Sequence, residues 1–135
     1  MKVRKLLLIL GMVYVPLFAQ QTIEIVDLIV DDLGNDLLRI TIEIKNVSTK
    51  TLSEVGGYVD FLDKSGLRID KSELNILLKS DVPLRPGQSA KRSLVLTRQP
   101  EMTGTFRYRI THLRFFGEPE IYIVCPNCGE IILKD

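Results

Sequence analysis

Between residues 37 and 45 the chain alternates with a period of two. Leu38, Ile40, Ile42 and Ile44 are apolar, and Arg39, Thr41, Glu43 and Lys45 between them are polar. That spacing puts each set on one side of an extended strand, with one face buried and one wet. The polar stretch Asn46-Val47-Ser48-Thr49-Lys50-Thr51 follows, and its Asn and Ser can satisfy turn backbone groups with their own side chains. Residues 55–63 return as a second strand, closed by a turn at Asp63-Lys64-Ser65-Gly66. Inside it, Gly56-Gly57 marks a bulge or the close approach of another backbone, because glycine packs nothing in a strand. The floor of a binding cleft is the other reading of that pair.

The flanking sequence extends the pattern. Residues 22–30 are rich in β-branched side chains and predict a first strand, followed by a turn over 31–36. Residues 67–82 admit two readings. Asp70-Lys71-Ser72-Glu73 has capping-box spacing, whereas residues 74–79 fit a short buried strand, which the all-β surroundings favour. Pro83, Pro86 and Gly87 break the chain before a strand over 93–97. Residues 105–113 alternate again, with Phe106, Tyr108, Ile110 and His112 expected on one face and Arg107, Arg109 and Thr111 on the other. Seven or eight short strands with polar or Pro/Gly turns predict an all-β fold, an antiparallel two-sheet β-sandwich. With no Trp and no widely spaced cysteine pair, nothing suggests the pinned core of an antibody domain.

Three stretches together resemble a known family: residues 44–53, ending an apolar strand in Asn46-Val47-Ser48; Val59-Asp60-Phe61-Leu62-Asp63 with its Gly66 turn; and Leu84-Arg85-Pro86-Gly87-Gln88-Ser89. The chain is similar over residues 22–114 to the FxLYD-type domains, immunoglobulin-like β-sandwiches of exported prokaryotic proteins. Val59 and Leu62 stand at the first and fourth positions of the F-x-L-Y-D strand end. The resemblance implies an immunoglobulin-like fold and an exported setting, and no catalytic activity.

The chain has 135 residues, enough for one ordinary domain. Lys2, Arg4 and Lys5 precede an apolar run over 6–15, and Pro16-Leu17-Phe18-Ala19 leads into polar Gln20-Gln21. This is the pattern of a cleaved export signal, and the run is shorter than the ~20 residues a membrane-spanning helix needs. Expected boundaries are therefore a signal peptide over 1–19, a sandwich over 20–116 and a C-terminal hairpin over 117–135. Cleavage leaves 15 basic against 17 acidic side chains. A slightly acidic domain whose basic cluster departs with its signal has no electrostatic reason to bind nucleic acid.

Cys125-Pro126-Asn127-Cys128-Gly129 carries the chain's clearest chemistry, at the expected tip of that hairpin. Cys125 and Cys128 resemble one knuckle of a zinc ribbon, which supplies two of the four ligands a structural zinc takes. A second chain could supply the other two, giving a metal-linked homodimer. A disulfide or a free structural pair is the alternative, natural after export, and thiol–disulfide exchange is the third. His112, the lone histidine, reads as a satisfied core side chain. Asp27, Asp31, Asp32 and Asp36 lack calcium-loop spacing and read as a solvated strand end, and Asn46, formally a glycosylation acceptor, reads as a turn residue. The expected function is that of an exported, periplasmic or extracellular, non-catalytic binding or assembly module. Its expected partner is a protein or envelope component; no cofactor is expected apart from that shared zinc.

Overall fold

The computed structural model describes residues 22–100, 102, 104–124 and the backbone of 131–133. Eight strands run in the order β1 (Ile23–Gly34), β2 (Leu37–Asn46), β3 (Leu52–Leu62), β4 (Arg68–Leu77), β5 (Ser89–Thr97), β6 (Thr105–Phe115), β7 (Tyr122–Val124) and β8 (Ile131–Leu133). They form a three-stranded sheet, β1-β2-β5, and a five-stranded sheet, β4-β3-β6-β7-β8. All pairings are antiparallel. The second strand pairs with the fifth and the third with the sixth, the crossed order of an immunoglobulin-like sandwich.

The alternation over residues 37–45 sets this architecture. Leu38, Ile40, Ile42 and Ile44 are all buried, and they meet Val55, Val59, Leu74, Ile76, Tyr108 and Leu113 in one continuous core. At about 2 kcal/mol for each buried aliphatic side chain, the four residues of β2 are a main source of stability. Residues 46–51 then carry the chain from one sheet to the other, so β2 and β3 are neighbours in sequence without pairing.

One expectation about the elements changes and one ambiguity is resolved. The first strand continues through Asp31, Asp32 and Leu33, and only Asn35 and Asp36 turn, with φ of 54° and 62°. Positive φ at both central residues is the two-residue hairpin geometry that matches strand twist, and Asn and Asp tolerate it. Residues 67–82 hold strand β4 and no helix, as the all-β context favours.

Asn46 fastens the end of β2. Its side chain is fully buried. Nδ2 donates to the carbonyl oxygens of Lys50 and Leu84, each at 2.8 Å. Oδ1 accepts from Ser48 N at 3.0 Å and Ser48 Oγ at 2.7 Å. The backbone joins in: Asn46 N donates to Gln88 O and Gly87 N to Asn46 O. Asn46 is thus the last residue of β2 rather than a turn residue, and its enclosed amide holds the turn that follows. Replacement of Asn46 by Ala should destabilise the fold by about 3 kcal/mol, because it removes four hydrogen bonds from an enclosed site and takes away the acceptor of the Ser48 amide. Urea unfolding checks this as a lower midpoint at unchanged slope.

Candidate functional site

The wet face of the five-stranded sheet carries His112 and the arginines of β6. β3 and β6 pair with a register shift at Gly56/Gly57, so Gly56 stands opposite His112 and Gly57 opposite Ile110. That bulge advances the phase of β6 by one residue. His112 therefore leaves the face of Phe106, Tyr108 and Ile110 and joins the arginine face, correcting the expectation from strict alternation. Its ring lies over Gly56 together with the Asn75 side chain, in space any Cβ at position 56 would fill. Gly57 admits the carbonyl of Arg109 at close range, so the pair is both a bulge and a close approach. Nδ1 of His112 lies 3.3 Å from Thr111 Oγ1. Asn75 Oδ1 is buried with no hydrogen-bond partner among the described residues.

One step along the sheet, Asp60 is fully buried beneath three arginines. Arg109 Nε and Arg107 Nη2 donate to its Oδ2 at 2.8 and 2.9 Å, and Arg68 Nη1 lies 3.8 Å from Oδ1. Burial pushes the Asp60 carboxyl upward, but hydrogen bonds from Arg109 and Arg107 outweigh it, and the net direction is below its usual 3.8. Tyr58 beside it lies under Lys71 and Arg109, at 4.7 and 5.3 Å from ring centroid to cation. Each such contact contributes about 0.5 kcal/mol at an exposed site. On the opposite face Tyr108 reaches across to donate its hydroxyl to Leu74 O at 2.6 Å, and burial pushes that hydroxyl's pKa up. These groups hold strands together; their polar atoms point at one another.

The edges of the three-stranded sheet are different. β1 pairs only with β2, and among the described residues no strand lies along its other side. Ile25, Val26, Ile29, Val30 and Leu33 are exposed along it, an unusual load for an edge strand. β5 is the opposite edge, with Val95 exposed. Beside its first half opens a groove of about 470 Å³, lined by Ile76, Val82, Pro83, Ala90 and Arg92 among others. Arg92 closes one wall by pairing with Asp81 at 2.7 Å and donating to Ile76 O.

Cys125 and Cys128 lie outside the described residues. The strands on either side of them pair, Val124 with Ile131 and Tyr122 with Leu133. Of the acidic group, Asp31 pairs with Arg39 at 3.2 Å and Asp32 with Arg98 at 2.5 Å. Asp27 Oδ1 accepts from the adjacent Leu28 N, and Asp36 forms the hairpin turn. Among the described residues no cluster of three His, Cys, Asp or Glu side chains is arranged to hold a metal. Nor, among them, is any helix long and apolar enough to cross a membrane.

The Asp60 network gives a pH signature. A carboxyl held below its unfolded value adds stability at pH above that value, and loses it as pH falls through the folded one. Asp60→Asn should therefore cost stability at neutral pH, about 2 kcal/mol, less than for a fully buried pair because the guanidiniums reach water. The gap to wild type should narrow as pH drops below about 4. Chemical denaturation across that range measures both.

Comparison with protein-family models, with curated proteins and with solved structures found no match for this chain.

Proposed function

We propose that the chain is an exported, non-catalytic binding or assembly module that engages a protein or envelope component through an edge of its sandwich. The observation that carries this reading is β1: an edge strand that among the described residues has a strand neighbour on one side, with five large apolar side chains exposed between Ile25 and Leu33. Such an edge offers a row of free backbone donors and acceptors beside apolar side chains, and both are satisfied when another strand adds to it. The conspicuous polar groups elsewhere, Asn46 and Asp60, are spent on the fold. The basic start and apolar run over residues 2–15 support export, and the FxLYD-type resemblance supports the same setting.

A photo-crosslinking amino acid at Ile29, in the chain expressed in cells, tests this. A discrete adduct is expected from position 29, and none from position 67, where Leu67 is also exposed but lies in a turn. Equal labelling from both positions would falsify the reading.

The pairing of Val124 with Ile131 favours a second reading, since it brings together the two ends of the loop that contains Cys125 and Cys128. Two such loops sharing one zinc would link two chains. On that reading Cys125→Ser with Cys128→Ser yields a monomer without zinc in native mass spectrometry. On the first reading the double variant keeps the wild-type assembly state and metal content.

A further inference from the structure

The two edges of the three-stranded sheet carry opposite charge. β1 bears Glu24, Asp27, Asp31 and Asp32 and no basic residue; β5 bears Lys91 and Arg92, with Arg98 just beyond, and no acidic one. Asp27 lies next to Glu43 across the β1–β2 pair, and Glu43 is followed across the sheet by Lys91. Among the described residues Glu24, Asp27 and Lys91 form no ion pair. Asp27 and Glu43 are thus like-charged cross-strand neighbours, with Lys91 on the far side of Glu43 and no cation on the open side of Asp27 among the described residues.

We infer that the partner of β1 is β5 of a second copy of this chain, so that the three-stranded sheets join edge to edge, head to tail. The inference rests on the binding-module reading and names its partner. Charge selects this pairing. Joining β1 to β1 would crowd the carboxylates of two copies, and joining β5 to β5 would oppose lysines, whereas β1 with β5 pairs opposite signs.

Geometry agrees. Both β1 and β5 are antiparallel to β2, so they run parallel to each other. A copy displaced sideways across the sheet brings its β1 alongside β5 as a parallel neighbour. With Val95 beside the next copy's Ile29, both exposed on the wet face, Lys91 falls near that copy's Glu24 and Asp27. Leu94 and Leu96, half-buried on the core side, meet its Leu28 and Val30. Its Ile25, 41% exposed in the single chain, enters the groove that Ile76, Val82 and Ala90 line beside β5. The contact is heterologous, so each copy keeps one edge of each kind and a row can grow.

Sedimentation velocity on the full chain, at rising concentration and in low and high salt, tests the pairing. Wild type should associate, less so in high salt. Asp27→Lys and Lys91→Glu should each weaken association about tenfold. Combining both changes in one chain should restore it, since each junction again has opposite charges. Mixing the two single variants should restore growth as an alternating row, because the altered β1 of one matches the altered β5 of the other and their unaltered edges match as in wild type. All these variants alter exposed side chains, and unchanged melting curves confirm their fold. A chain that stays monomeric throughout overturns the inference, as does association indifferent to both single reversals or not restored by the swap. A monomer that still crosslinks from position 29 to a different protein overturns self-pairing and leaves the binding module standing.

Discussion

Asn46 is the constraint on which the sandwich depends. Strand β2 supplies the deepest part of the core, but it can do so only if its end is fixed where the chain changes sheets. The Asn46 amide uses both donors and accepts two hydrogen bonds, tying the crossover at Ser48 and Lys50 to the segment at Leu84. Leu84 exchanges two backbone hydrogen bonds with Leu52 at the start of β3. One side chain therefore sets the spacing between the two sheets at that end, and β5 enters the ladder beside β2 from the same anchor. An apolar residue of similar size would fill the space but cut the tie between the two segments, leaving Lys50 O to Ser48 Oγ and Leu84 O to Leu52 N.

The same arrangement decides where the surface is unfinished. With β2 in the centre, β1 and β5 are each paired with a strand on one side only among the described residues. The five-stranded sheet solves its polar face internally: Asp60 neutralises arginines from β4 and β6, and Tyr58 lies between two cations. The three-stranded sheet instead leaves isoleucine, valine and charge at its margins. Exposed apolar and unpaired charged side chains are thus concentrated at the margins of this sheet.

Much of this was legible from residue order. The period of two over residues 37–45 located β2 and its buried face, and Pro/Gly punctuation separated β4 from β5. The full extent of β1 was hidden because Asp31 and Asp32 look like turn residues; their pairing with Arg39 and Arg98 keeps them in a strand. The two-residue turn at Asn35-Asp36 was the available signal, being a good sequence for positive φ. The face of His112 was not legible, since a one-residue bulge opposite Gly56-Gly57 inverts it and alternation has no way to count a bulge. Asp60 was invisible as a buried anion because its three arginine partners come from two other strands.

The C-terminal strands rest on a narrow attachment. Among the described residues β7 joins β6 through two residue pairs, His112 with Ile123 and Leu113 with Tyr122, whereas β3 and β6 pair along nearly their whole length. An edge contact between Phe115 and Tyr122, with ring centroids 5.5 Å apart, and the Lys50–Glu118 ion pair complete the junction. Backbone amides of β7 and β8 should therefore exchange with solvent through an opening far smaller than global unfolding, while those of β2 wait for the whole sandwich to come apart. Opening of this hairpin and unfolding of the sandwich are then separate events with separate free energies.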